Sequence, residues 1–379
     1  MNASETAETM ASETGPTSGR IVSVDALRGF DMFWIVGGSG FMVALFKLFH
    51  PNVQEIILPQ LDHAQWEGFT FYDLIFPLFV FLVGMSTVFS LRKLIEREGK
   101  WAAHKRLFRR SILLLLMGIL YYGGLLNKWP EIRLLGVLQR IALCYFFTGL
   151  VFIHFRLRGM IITCLALLVG YWALLSFVPV PGLGEVSFAE GKNWANYVDQ
   201  HYLIGKRWDG DWDPEGLLST LPAIGSCLIG VFAALLIKHD SIDAQKKVLY
   251  LLGGGVAGVI IGYLWGLQFP VIKKIWTSSY VLVSGGYSCV LLGIFYQIID
   301  IWKFKKWTPF FVWTGTNAIT IYMARNIINF NRLAGRFVGG DVLMLLGDEY
   351  GHLLQALFSL GLTLLLVRFL YKKGIFLRF

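Results

Sequence analysis

Residues 75–91 read IFPLFVFLVGMSTVFSL and residues 111–126 read SILLLLMGILYYGGLL. Between them, residues 92–110 read RKLIEREGKWAAHKRLFRR, which holds eight lysines and arginines. Two uncharged apolar runs, each near the length that crosses a bilayer and joined by a short basic loop, make a membrane-helix hairpin with its turn in the cytoplasm. The same alternation recurs along the 379-residue chain. It predicts helices at about 27–49, 70–91, 109–126, 134–154, 159–178, 216–237, 248–267, 279–301, 308–328 and 351–370, with Val342–Leu346 as a re-entrant piece. The expected fold class is therefore all-α, a polytopic integral membrane protein with about ten transmembrane helices.

Composition agrees. Hydrophobic residues make up 55% and charged residues 16%, against roughly 25% charged in soluble domains. Nothing is left for a large aqueous core. The net charge of +9 would suit a nucleic-acid partner. The basic residues instead sit in short loops between apolar runs, so the expected surroundings are a lipid bilayer and no nucleic acid. Cys144, Cys164, Cys227 and Cys289 each fall inside an apolar run without metal-ligand spacing, and no metal is expected.

Residues 1–19 are polar and low in complexity, lack the pattern of a signal peptide, and are expected to form a disordered cytoplasmic tail. Residues 20–379 form the transmembrane domain. With the N-terminus in the cytoplasm, the loops after the second, fourth, sixth and eighth helices collect most of the lysines and arginines. Both termini are then cytoplasmic, and a bacterial inner membrane is the expected location. The segments 50–69, 179–215 and 329–350 fall on the other side. The longest, 179–215, is rich in Trp, Asp and Tyr and is the expected extracytoplasmic loop. In the seventh helix Gly254, Gly258 and Gly262 are four apart, a spacing that lets membrane helices approach closely.

Polar residues in or beside membrane helices are costly and mark candidate sites. Asp25 and Arg28 share one helix face at the cytoplasmic end of the first helix, either as a local ion pair or as an anchor for an anionic ligand. His63 precedes the second helix and Asp73 lies one turn inside it. A histidine can serve as base or nucleophile near neutral pH, with a carboxylate fixing its tautomer. The plainer alternative is an interfacial histidine and an unrelated helix-start aspartate. Gln139 and Arg140 lie within the fourth helix, where an arginine needs a salt-bridge partner or a phosphate. Asp213-Pro214-Glu215 precedes the sixth helix, with Asp213 as a candidate cap. Trp212 and Glu215 beside it suit a sugar. Asn317 is a membrane-embedded amide that must be hydrogen-bonded.

Taken together the motifs resemble a known family. Ser23-Val24-Asp25 with Arg28-Gly29, His63-Ala64 with Trp66, Gly68 and Asp73 through Pro77, and Gly136-Val137-Leu138-Gln139-Arg140 carry the likeness. Asp213-Pro214-Glu215-Gly216, Trp276-Thr277-Ser278-Ser279, and Asn317 with Tyr322 extend it over nearly the whole chain. The chain is similar to the transmembrane acetyltransferases related to heparan-alpha-glucosaminide N-acetyltransferase, as a compact bacterial-type relative. The resemblance implies transfer of an acetyl group from cytoplasmic acetyl-CoA to an amino sugar or glycan across the membrane. It puts the family's catalytic histidine on His63 and the neighbouring acid on Asp73.

On this reading Arg28 and Arg140, with Asp25 and Gln139 beside them, hold the acyl-CoA. Trp66, Trp212, Asp213, Glu215 and Asn317 are the candidate acceptor-binding residues, and a second copy of the chain is counted among the candidate partners. His63 either takes the acetyl group covalently or acts as base for direct attack. The rival class is a secondary transporter of a small anionic or sugar-like solute, with Asp73, Arg140 and Asn317 lining a pathway.

Overall fold

The computed structural model describes residues 21–375, and the tail expected over residues 1–19 lies outside them. Thirteen helical elements, named in chain order, carry the fold. They are α1 (Val22–Phe46), α2 (Pro51–Ile57), α3 (Ile75–Tyr121), α4 (Val137–His154), α5 (Leu157–Phe177), α6 (Trp194–Tyr202) and α7 (Thr220–Ile237). Then follow α8 (Ala244–Gly266), α9 (Ser278–Ile301), α10 (Thr308–Thr316), α11 (Ala318–Ile327), α12 (Phe330–Ala334) and α13 (Asp341–Lys372). Eight helices among the described residues are long and apolar enough to cross a membrane.

Two of the expected helices do not stand as separate members of these eight. The expected helices at 70–91 and 109–126 lie in one helical segment, Phe71–Tyr121, broken at Gly99, whose φ of 83° only glycine takes at little cost. Val83 and Arg110 line one cavity, although a straight helix would hold them about 40 Å apart. The chain therefore reverses near Gly99, with the basic stretch around the turn. The expected helix at 308–328 is instead two pieces, α10 of 9 residues and α11 of 10, parted at Asn317. Neither piece alone spans a bilayer, which takes about 20 residues. The stretch expected as a re-entrant piece opens α13, with Gly347 at φ 73° separating it from the long remainder.

A second interruption faces the first. Helix α1 passes through a π-helical stretch, Trp34–Gly38, with Gly37 at φ 134°. Such a stretch leaves backbone groups to be satisfied from outside, and Arg325 of α11 donates to the freed carbonyl of Ile35. Helices α1 and α10 pack along each other below this point.

Helices α8 and α9 make the closest pair. The small-residue seam is Gly255, Gly258 and Gly262, against Val283 and Gly286; Gly254 meets nothing within 4 Å. The expected spacing of four thus becomes three and four, the natural repeat of one helix face. The buried apolar core lies mainly among α1, α3, α7 and α9, around Leu27, Leu78, Phe81, Met85, Val231 and Leu292.

At one end, four connections are drawn together by isolated antiparallel bridges: Glu67 with Ile272, Arg133 with Gly205, and Asp209 with Trp212. The long 179–215 segment contributes α6 and folds over this end. These ties place the segments 61–74, 129–136, 203–216 and 268–277 around one cavity.

Candidate active site

The site starts from a helix cap. Thr70 caps the 3-10 turn Phe71–Leu74, and Asp73 closes a capping box with it. Asp73 Oδ2 accepts from the Thr70 amide at 3.1 Å, the Thr70 hydroxyl at 3.1 Å and the Ala64 amide at 3.2 Å. That leaves Oδ1, 2.8 Å from Nδ1 of His63. The two readings of Asp73, cap and histidine partner, are both true of one buried carboxylate. A carboxylate there selects the tautomer with hydrogen on Nδ1 and leaves the Nε2 lone pair free. The His63 side chain is 47% exposed, with its ring 4.8 Å from that of Tyr72.

The loop before α9 locks onto this turn. The Gly68 amide donates to Val271 at 2.9 Å, and the Tyr280 hydroxyl donates to the carbonyl of Asp73 at 2.8 Å. Trp276 holds a φ of 53°, rare for a residue with a side chain, and is fully packed, with its indole N–H on Ser226. The loop thereby delivers Lys273. Its Nζ lies 3.3 Å from Asp73 Oδ1, 2.7 Å from His63 Nδ1 and 3.1 Å from His63 Nε2. Burial lowers the Lys273 ammonium from its ordinary value, against the opposing charge of Asp73.

A cavity of about 280 Å³ opens beside His63, lined also by Tyr122, Arg133, Trp208, Asp209, Glu215 and Lys274. Arg133 forms a bidentate pair with Asp213 at 2.9 and 2.7 Å and reaches Glu215 at 2.7 Å. Its guanidinium lies over both the Tyr122 and Trp208 rings, 4.4 and 4.8 Å from their centroids. Burial pushes the Glu215 carboxyl up from its ordinary range. Asp213 also accepts the amides of Trp208 and Glu215, both at 3.0 Å. The expectation that Asp213 caps the sixth helix is corrected: α7 begins at Thr220, and Asp213 instead holds Arg133 and its own turn. Lys274 sits over Trp66 and Trp212 and pairs with Glu190 and Asp209.

A second cavity, of about 350 Å³, is lined by Arg28, Ser86, Arg106, Arg110, Tyr145 and residues 315–320. Arg28 Nη2 donates to Ser86 at 2.7 Å and Nη1 lies 3.5 Å from Asp25. A narrow apolar gap of about 20 Å³ joins the two. Phe76 and Val137 belong to the His63 cavity and the gap, and Phe79, Ile141, Ala318 and Ile319 to the gap and the Arg28 cavity. From Phe76 to Ser86 along α3 is about 15 Å, so the three spaces form a line through the helical body.

The expected site residues fall into three places. His63, Asp73, Trp66, Trp212, Asp213 and Glu215 gather at the first cavity. Asp25, Arg28 and Asn317 gather at the second, where the buried Asn317 Oδ1 has no hydrogen-bond partner among the described residues. Arg140 and Gln139 lie beneath the first cavity and line neither. Arg140 donates to Gly216 at 3.2 Å and to the Ser219 hydroxyl, under the Trp276 ring. Gln139 packs against Gly118 and Gly136. Sequence reading passed over Lys273, Lys274 and Arg133 as loop charges, and Arg106 and Arg110 as topology signals. The signal for the lysine pair was their place in a loop that the charge bias otherwise keeps poor in cations. Among the described residues no group of three or more His, Cys, Asp or Glu is arranged to hold a metal ion.

A family model described as heparan-alpha-glucosaminide N-acetyltransferase, catalytic, matches residues 20–250. Two relatives bear the name heparan-alpha-glucosaminide N-acetyltransferase. The Mus musculus protein is 26% identical over 377 residues, covering 83% of this chain and 56% of that one. The Homo sapiens protein is 26% identical over 420 residues, covering 94% of this chain and 59% of that one. The chain thus spans a little over half the length of these relatives. With the matched region holding His63, Asp73, Arg133 and Glu215, the chain belongs to the family of the heparan-alpha-glucosaminide N-acetyltransferase catalytic region.

Proposed function

We propose that this protein transfers an acetyl group from acetyl-CoA, entering at the Arg28 cavity, to an amine acceptor at the His63 cavity. The observation that carries this reading is the line of two polar cavities joined by an apolar gap, with the His63–Asp73 pair at one end and three arginines at the other.

The division suits the donor. Phosphates are anions that arginines bind with charge-assisted hydrogen bonds, and Arg28, Arg106 and Arg110 supply them. The N-terminus of α11 opens on the same cavity and adds backbone amides. The free Oδ1 of Asn317 is an acceptor for an amide N–H of the pantetheine arm. Both side-chain needs are met by one ligand. At rest the gap is apolar and only about 20 Å³ in volume, so the arm passes by rotation of Phe76, Phe79 and Ile319. The thioester then lies by His63. An amino sugar fits the other wall, where Trp208 offers a ring face and Glu215 and Asp209 offer acceptors for an ammonium and for hydroxyls. Asp213, with both oxygens engaged, positions Arg133 and Glu215.

Arg28 faces the basic turn at Gly99, which the charge bias assigns to the cytoplasm, and His63 faces the opposite side. The donor and acceptor sides follow. A secondary transporter is the second reading, favoured by the paired interruptions of α1 and α10–α11, which is how transporter helices build midplane sites. One experiment separates them. Purified protein in oriented vesicles receives acetyl-CoA on the side where a cysteine at position 100 is labelled, and glucosamine on the side of position 195. Acetylated glucosamine appearing only in that arrangement is the expected result. Glucosamine crossing unmodified, with no acetyl-CoA binding, supports transport and ends the acetyltransferase reading.

A further inference from the structure

The motif region around His63 leaves Lys273 without an assigned task, yet its ammonium lies 2.7 Å from Nδ1 of the histidine. A plain reading makes it a counter-ion for Asp73. The geometry asks more of it. Asp73 already carries three donors on Oδ2 and His63 on Oδ1. An ammonium has three N–H donors. One suffices for Oδ1 at 3.3 Å. Nδ1 keeps its own hydrogen for Asp73 and offers Lys273 no lone pair. Nζ lies against the ring edge, 2.7 Å from Nδ1 and 3.1 Å from Nε2, so with Nδ1–H committed to Asp73 its other donors can turn to the cavity that Lys273 lines beside Nε2.

We propose that Lys273 is a catalytic residue: its ammonium, steadied on Asp73, donates to the thioester carbonyl oxygen as that oxygen becomes an oxyanion. The inference rests on the acetyl-transfer reading above. A carbonyl carbon within reach of Nε2 brings its oxygen to roughly 3 Å from such a donor, the separation that oxyanion stabilisation requires. The attacking lone pair belongs to Nε2 or to an acceptor nitrogen whose proton Nε2 has taken. It forms a nitrogen–carbon bond while the carbonyl π pair moves to oxygen. The returning pair breaks the carbon–sulfur bond. Over the whole transfer the acceptor amine loses one proton and the CoA sulfur gains one. Lys273 is neither consumed nor acetylated, because a protonated amine has no lone pair to attack with.

The loop supports the assignment. Lys273 sits between Ile272, bonded to Thr277 at 3.0 Å, and the packed Trp276. Its backbone is thus fixed from both sides, as a preorganised donor needs. Burial lowers the ammonium from its ordinary value, which makes it a stronger donor. The charged and titratable groups around it are His63 and Asp73 at the α3 entrance, Lys274 on its own loop, and Glu215 and Asp209 on the 203–216 segment. Arg133 and Tyr122 line the far wall. If the ammonium is required, activity falls on the alkaline side, earlier than an ordinary lysine would allow.

The test uses the full chain in lipid nanodiscs, with acetyl-CoA and glucosamine. Lys273→Met should lose about 10²–10³-fold in kcat, the scale for removing one oxyanion donor, with acetyl-CoA affinity within twofold. Lys273→Arg should keep part of the rate and move the alkaline limb to higher pH, because a guanidinium does not titrate there. Lys273→Cys alkylated with 2-bromoethylamine rebuilds a lysine-like amine and should recover activity, which separates chemistry from misfolding. A Lys273→Met protein with kcat within threefold of wild type overturns the proposal, as does a Lys273→Arg alkaline limb that does not move. Wild-type protein that neither binds acetyl-CoA nor transfers acetyl overturns the parent reading as well.

Discussion

Nδ1 of His63 stands 2.8 Å from Oδ1 of Asp73, and the other oxygen of that carboxylate closes the helix cap at Thr70. One buried side chain therefore sets both the start of α3 and the tautomer of the histidine. Asp73→Asn can keep an acceptor for the cap while ceasing to favour the tautomer with hydrogen on Nδ1. The expected outcome is retained folding and acetyl-CoA binding with a loss of up to about 10⁴ in kcat, the scale seen when an orienting carboxylate is lost. Steady-state kinetics beside a binding isotherm check it.

Asp213 is a structural carboxylate on this account. It is buried against Arg133, itself 5% exposed, and breaking such a pair by removing one partner costs about 3–5 kcal/mol. Asp213→Ala should lower stability by that order in a denaturant titration in detergent. Glu215→Gln leaves the bidentate pair intact, so it should change stability less and raise KM for the amine acceptor.

The two cavities separate two arginines that the sequence had placed together. Arg28 lines the basic cavity, and Arg140 lies in the floor of the other. Arg28→Ala should weaken acetyl-CoA binding by about 1–3 kcal/mol, as for a charge-assisted hydrogen bond. Arg140→Ala should chiefly lower stability, through Gly216 and Ser219, and leave acetyl-CoA affinity near wild type. Calorimetry on the two purified variants distinguishes these effects.

Asp199 gives a pH signature. It accepts the amides of Leu217 and Asp213 beneath the Arg133 turn, and burial pushes its carboxyl up to about 6. A folded-state value raised above the unfolded one contributes stability that is full below about pH 4 and is lost as pH rises through 6. Between pH 4 and 6 wild type should therefore lose stability relative to Asp199→Asn, with no further change above that range. The difference should be at most about 3 kcal/mol. Thermal melts of both proteins across that range read the crossing.

Much of this was legible in the sequence because a bilayer imposes a simple rule on helices. The apolar runs gave α4, α5, α7, α8 and α9 nearly at their observed limits, and His63 with Asp73 announced itself as a polar pair at a helix mouth. The interruptions were harder. Gly99 lies in a polar stretch that reads as a loop, yet the helix continues to it on both sides. Asn317 reads as an embedded amide, with nothing local to say that the helix stops there. Lys273 was the least visible. Its role depends on a loop 210 residues from His63 in sequence, folded by a strained Trp276 that no periodicity reveals.

The most direct test of the account is acetyl transfer by His63→Ala, measured with acetyl-CoA binding on the same purified preparation. His63 supplies the Nε2 lone pair on either chemical route, and it touches the cavity wall without holding the helices together. The expected result is loss of acetyl transfer to glucosamine with acetyl-CoA affinity near wild type. A well-folded His63→Ala protein that turns over at a substantial fraction of the wild-type rate would contradict the account and return His63 to an interfacial residue beside a helix cap.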